Sequence, residues 1–336
     1  MVSVSDLQSG FTRTEAQAGH SVGSDSSPPD PPLRRRRTDI GPYQLVHRVE
    51  GGKAECWVCL DKRDGATKFL KKFPAPKLPS EADRIRDRIS YESELAHCKA
   101  FLEHHKSIML ELSIDRLGSG ALVKPLDAFW FEASFFKVYP FIDDLRPLQA
   151  IITRDWDAKR RLVAIRSLLF ALYELHDRGL VHADIKRENI HHIDTAGGPV
   201  IRLIDFDDSY REDFPPTPTI LGGTEDYYSP EVLVYKGFAK SPTPLKLGCA
   251  SDIFSLSIAI HEAFSTDGRP PRWNGGATTD AALHALLGDR VEYQSLGTGK
   301  PLLEYRLKQS LEADPQFRPR ITELLSASGA NLGRRP

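Results

Sequence analysis

The chain has 336 residues, 40% of them hydrophobic and 27% charged, and a formal net charge of -1. This balance offers no global attraction to nucleic acid or to an anionic membrane, and no apolar run approaches the roughly 20 residues of a membrane-spanning helix. Four cysteines, Cys56, Cys59, Cys98 and Cys249, suit a reducing cytoplasm better than a disulfide framework, and the opening Met1-Val2-Ser3-Val4-Ser5-Asp6 lacks the basic start and apolar core of a secretory signal.

Residues 1–39 are rich in Ser, Gly, Pro and Asp and end in Pro28-Pro29-Asp30-Pro31-Pro32 and Arg34-Arg35-Arg36-Arg37. Such a segment buries too little apolar area to offset its chain entropy and is expected to be disordered. The arginine run reads first as a solvated linker. A nuclear signal, an anionic docking patch or a basophilic phosphorylation site at Thr38 are the other readings.

From Tyr43 to Phe73, strand-like runs alternate with the turn signals Gly51-Gly52 and Asp61-Lys62-Arg63-Asp64-Gly65. Cys56-Trp57-Val58-Cys59-Leu60 reads as a buried strand and not as half of a metal site, because no second Cys or His pair follows at finger-like spacing. Glu81 to His105 is charged with a helical period, and Ala121 to Ile142 returns to strand composition. Lys159 to Asp177 is an amphipathic helix, with Leu162, Ile165, Leu169, Leu172 and Leu175 at helical spacing and Gly179 as its stop. Beyond Pro230 the chain is mainly helical. A strand-rich first third followed by a helical remainder argues for two lobes meeting at a cleft. The expected domain runs over about 40–327, with the smaller lobe at about 40–142 and the larger at 143–327, and 328–336 form a flexible end.

Within the larger lobe, His182-Ala183-Asp184-Ile185-Lys186-Arg187-Glu188-Asn189 packs three polar residue types between apolar anchors. Asp184 can accept a hydroxyl proton, Lys186 can hold a phosphate and Asn189 can bind a metal ion. Asp205-Phe206 follows at the end of an apolar run. Together these segments resemble the catalytic loop and the metal-binding segment of eukaryotic-like (Hanks-type) serine/threonine protein kinases. Gly222-Gly223-Thr224-Glu225-Asp226-Tyr227-Tyr228-Ser229-Pro230-Glu231 resembles the segment that closes the activation loop in that family.

The resemblance covers about Tyr43 to Leu325 and implies an α+β, two-lobed protein-kinase-like fold: a small antiparallel sheet lobe over a larger helical one. It implies ATP and Mg2+ as cofactors and proteins carrying Ser or Thr as substrates, with no nucleic acid and an open oligomeric state. Asp184 would orient or deprotonate the substrate hydroxyl, Lys186 would steady the transferring phosphate, and Asn189 and Asp205 would hold the metal ions. Thr224 would bond Asp184 and Lys186, Glu231 would pair with Arg318, and Asp252 would support the catalytic loop. Val49, Gly51 and Gly52 belong to a degenerate glycine-rich phosphate cradle. Lys71, preferred over Lys72, would grip the phosphates, braced by Glu94 or its near rival Glu92. Tyr139 would stand at the back of the adenine pocket, with backbone groups near Phe141 and Ile142 bonding the base.

The departures from the family pattern are specific. Ala183 replaces the arginine that usually precedes the catalytic aspartate, so Thr217 and Thr219 need not be phosphorylated for activity. Phe69 falls where a small residue usually faces the adenine, and Asp207 replaces a flexible glycine. An active kinase is the leading reading. A pseudokinase or scaffolding module of the same fold, and a small-molecule kinase of related fold, are the alternatives.

Overall fold

The computed structural model describes residues 38–49, 54–114, 120–149, 153–265, 267–273 and 280–330. Gly51 and Gly52, the tail before Thr38 and the arginine run therefore lie outside the described residues. The first strand already includes Asp39.

Strands β1 (Asp39–Ile40), β2 (Tyr43–Val49), β3 (Glu55–Asp61) and β4 (Thr67–Lys77) lead into helices α1 (Glu81–Arg86) and α2 (Arg88–Ser113), and then β5 (Asp127–Phe131) and β6 (Ser134–Pro140). The six strands form one antiparallel sheet in the order β1-β2-β3-β4-β6-β5. Strand alternation gives the sheet two apolar faces. Phe136 packs with Tyr43, Cys59, Leu70 and Val138 on one face, while its neighbour Phe135 packs with Phe73 and Ala128 on the other, against Phe101, Leu102 and Met109. Cys56 and Cys59 stand three residues apart on β3, an odd offset that sends the two thiols to opposite faces.

Asp87 breaks the expected single helix in two. It is extended, ends α1 and caps α2 by accepting from the backbone N–H groups of Ile89 and Ser90. Helix α2 then runs to Ser113, with its buried stripe at Cys98, His105, Ile108 and Leu112.

The rest of the chain comprises β7 (Arg146–Pro147), α3 (Ala158–His176), β8 (Leu180–Val181), β9 (Ile190–Thr195), β10 (Gly198–Leu203), β11 (Tyr210–Arg211), α4 (Pro230–Tyr235), α5 (Cys249–Phe264), β12 (Arg272–Trp273), α6 (Ala281–Leu286), β13 (Val291–Glu292), α7 (Pro301–Gln309) and α8 (Ile321–Ala327). Helix α3 starts on the Asp157 cap and buries Ala164, Ile165, Leu168, Leu169, Leu172 and Leu175. Helix α5 is buried almost all round, as expected of a helix at the centre of a core. These two helices anchor the largest apolar cluster. The β7-β9-β10 sheet and the β8-β11 pair lie on this base and carry the two segments with the most polar chemistry.

Candidate active site

The loop after β8 turns sharply because Ala183 has a left-handed backbone, φ 66°. The turn is held from below. Asp252, in the first turn of α5, accepts from the backbone N–H of His182 at 2.8 Å and of Ala183 at 3.0 Å, and from His176 Nε2 at 2.9 Å. A carboxylate at a helix N-terminus is favoured by the helix dipole, and three donors offset the cost of burying it. The His182 ring lies 5.0 Å from that of Phe206 and donates from Nε2 to the Ile204 carbonyl at 3.2 Å. The catalytic-loop candidate and the Asp205 segment are thereby locked together.

Asp184 is 7% exposed. Lys186 Nζ lies 2.6 Å from its Oδ2, and the Thr224 hydroxyl donates to its Oδ1 at 2.7 Å. Lys186 also donates to Thr224 Oγ1 at 2.8 Å, closing a three-membered network. Asn189 Nδ2 donates to the Asp184 carbonyl at 2.8 Å and to its Oδ2 at 3.0 Å. That leaves the amide oxygen of Asn189 for a cation. Ile204 N–H donates to the Asn189 carbonyl at 3.1 Å, so Asp205 follows directly on a residue tied to Asn189. The Asn189 amide oxygen and the Asp205 carboxylate are oxygen donors of the kind that would hold a hard divalent cation.

Thr224 reaches Asp184 because Gly223 passes close by. At Gly223 φ is 98°, and a Cβ there would meet the Ala183 carbonyl oxygen at 2.6 Å. Its N–H donates to Asp208 Oδ2 at 3.1 Å. Glu231 and Arg318 form the expected ion pair at 2.7 Å.

Above the loop, Lys71 Nζ lies 2.8 Å from Asp205 Oδ1 and 2.6 Å from Asp207 Oδ2. Lys137 Nζ lies 2.6 Å from the other oxygen of Asp207, and the Tyr139 hydroxyl donates to that same oxygen at 3.3 Å. Against the penalty of burial, Lys137 and then Lys71 hold Asp207 well below the usual carboxylate range. Burial and the adjacent Asp207 push Asp205 above that range. Burial works to lower Lys71, but the two carboxylates carry it above its ordinary value. Phe69 pairs with Tyr139 across β4 and β6, with ring centroids 6.4 Å apart and edge to face. Phe141 follows the last residue of β6 and is 42% exposed, and Ile142 is half-buried beside it. Val49 is the last residue of β2.

The expected brace from helix α2 is not there. Glu94 is exposed and accepts from the Ser90 hydroxyl, and Glu92 pairs with Arg88. The reason is axial position. Cys98 Sγ lies 3.3 Å from the carbonyl of Lys77. Strand β4 bulges between Lys72 and Lys77, so Lys77 pairs with Ser134, three residues along β6 from Lys137, the partner of Lys71, a separation of about 10 Å. Glu94 sits one turn further out. The turn level with Lys71 carries His105, whose ring centroid is 5.4 Å from that of Phe73, while Lys71 Nζ stands 5.6 Å from the same ring.

Lys137, Asp208 and His105 were not among the expected site residues. Lys137 did leave a signal: a lysine in the apolar run Phe135-Phe136-Lys137-Val138-Tyr139 needs an anion opposite it.

The family model for the protein kinase domain matches residues 50–328. The smooth-muscle myosin light chain kinase of Gallus gallus is 28% identical over 200 residues, which is 58% of this chain and 9% of that protein. A calcium/calmodulin-dependent protein kinase type 1 of Macrobrachium nipponense is 38% identical over 77 residues, 23% of this chain and 22% of that one. The chain spans less than a quarter of the length of these curated relatives.

Proposed function

This chain belongs to the protein kinase domain family, and on that footing we propose that it transfers the γ-phosphoryl group of ATP, with Mg2+, to serine and threonine hydroxyls of proteins. The observation that carries the reading is the convergence of Lys186, Thr224 and Asn189 on one carboxylate, Asp184. Asp184 receives the proton of the attacking hydroxyl, and Lys186 balances the charge that gathers on the transferring group. Thr224 fixes the rotamer of Asp184 and links it to Lys186, so base and cation stay in register. Lys71 grips the nucleotide phosphates from the smaller lobe. Mg2+, held by Asn189 and Asp205, would neutralise charge on the phosphate oxygens. The similarities to a myosin light chain kinase and to a calcium/calmodulin-dependent protein kinase support a protein as the phosphoryl acceptor. Four unpaired cysteines support a reducing, cytoplasmic setting.

The test is phosphorylation with labelled ATP and Mg2+, comparing wild type with Asp184→Asn and Lys71→Met. Label on wild type alone, carried on Ser or Thr, is the expected result. A second reading, a kinase-fold scaffold with little turnover, is favoured by the engagement of Lys71 with two carboxylates and by the bulk of Phe69. Absence of label together with no nucleotide-induced shift in melting temperature decides for the scaffold.

A further inference from the structure

Lys71 and Lys137 stand directly opposite each other on β4 and β6. Cross-strand partners project to the same side of a sheet, where two like charges repel. The Lys137 side chain is 2% exposed, so an unpaired ammonium there would be costly. One carboxylate answers both problems. Asp207 spans the two lysines, one oxygen at 2.6 Å from each Nζ, and the Tyr139 hydroxyl fixes its orientation. Nothing on α2 competes for Lys71, because the turn at its level presents the ring-stacked His105.

We propose that Asp207 is the positioning residue for Lys71, aiming its ammonium group at the nucleotide phosphates, and that Lys137 anchors Asp207 for this task. The proposal rests on the kinase reading above. It has a consequence for control: the brace on Lys71 sits two residues from Asp205, in the same segment, so the grip on phosphate does not depend on where α2 lies. When a bound nucleotide draws Lys71 toward its phosphates, Asp205 turns to its own role and Asp207 keeps the amine in place.

The experiment measures KM for ATP, kcat, the Kd of Mg-ADP and the melting temperature on the full chain. The variants are Asp207→Asn, Asp207→Asn with Lys137→Met, and Glu92→Ala with Glu94→Ala. Asp207→Asn should raise KM and Kd by about tenfold or more, the usual effect of losing a charged hydrogen bond, and should lower the melting temperature by stranding Lys137. Adding Lys137→Met should recover the melting temperature while KM and Kd stay high, a split that a purely structural role does not produce. The paired glutamate variant should remain within about twofold of wild type, as for surface changes. Recovery of KM and Kd in the double variant, or a glutamate variant as impaired as Asp207→Asn, overturns the proposal. A wild type that binds Mg-ADP without transferring phosphate ends the transferase reading only, and the Kd series then still decides the role of Asp207. A wild type that binds no nucleotide overturns both.

Discussion

Arg318 spends all five of its N–H groups on fixed acceptors, two of them on Glu231. Nη1 donates to Glu231 Oε1 at 2.7 Å and to the Ala250 carbonyl at 2.9 Å, Nη2 to Glu231 Oε2 at 2.8 Å and the Ala313 carbonyl at 2.9 Å, and Nε to the Glu312 carbonyl at 2.8 Å. Both side chains are shielded from solvent. The pair joins the end of the activation segment to the last quarter of the chain.

Breaking this pair leaves a buried charge without its partner. Glu231→Gln should cost about 3–5 kcal/mol of stability, measured by urea unfolding. Arg318→Lys should cost nearly as much, because an ammonium group cannot reproduce the planar two-point grip. A loss below about 1 kcal/mol, the range of exposed pairs, would mean that water reaches the pair.

Thr224 donates to Asp184 and accepts from Lys186 through one hydroxyl. Thr224→Val keeps the shape and removes both bonds. It should lower kcat by about 10- to 100-fold with little change in KM for ATP, in line with the loss of hydrogen bonds to charged groups. Thr224→Ser should retain most of the rate. Equal loss in both variants would assign the effect to packing of the methyl group.

Around Thr217 and Thr219 the activation segment is held by hydroxyl and lysine donors to its backbone carbonyls. Tyr235 donates its hydroxyl to the Pro216 carbonyl at 3.0 Å, and Lys236 Nζ reaches the carbonyls of Pro218 and Leu221. Thr217 and Thr219 contact each other at 3.3 Å, and Ala183 supplies no cation for a phosphate. Thr217→Ala with Thr219→Ala should therefore keep kcat/KM within about twofold of wild type. Lys236→Ala should reduce it by several-fold through loosening of the segment. Strict dependence on phosphorylation of either threonine would sink this account.

The larger-lobe site was legible because its parts are close in sequence. Asp184, Lys186 and Asn189 fall within six residues, so their spacing nearly dictates their geometry, and Asp205 and Thr224 follow in fixed order. The smaller lobe was less so. Glu94 and His105 are eleven residues apart on α2, about three turns, so they share a face yet differ in height by about 16 Å. Periodicity reveals the face of a helix and says nothing of where along the sheet a given turn stops. That height is set by the extra length of α2 and by the aromatic cluster of Phe73, Phe101 and Phe135. The bridge from Lys71 through Asp207 to Lys137 was hidden for a different reason. It depends on the cross-strand register of β4 and β6, which a linear reading does not contain.

His105 offers a check on the packing of α2 that is independent of catalysis. Its ring is 2% exposed, stacks 5.5 Å from Phe135, and leaves Nδ1 buried without a partner. The charged groups that bear on it are Lys137, Asp207 and Lys71, with His104 alongside. Burial and then Lys137 lower its pKa to about 3, against about 6.5 in an unfolded chain. Above that unfolded value the ring is neutral in both states and folding carries no protonation penalty. As the pH falls below it, the unfolded chain takes up a proton that the folded protein refuses, and stability declines until the folded value is reached. The sign is thus a loss on acidification, of about 2 kcal/mol by pH 5 for this one ring. His105→Phe keeps the stack and removes the orphaned nitrogen, so it should match or exceed wild-type stability at pH 7. Urea midpoints at pH 7 and pH 5 test the point: the variant should lose distinctly less than wild type between them, and parallel losses would show that the ring is protonated, and hence solvated, in the folded state.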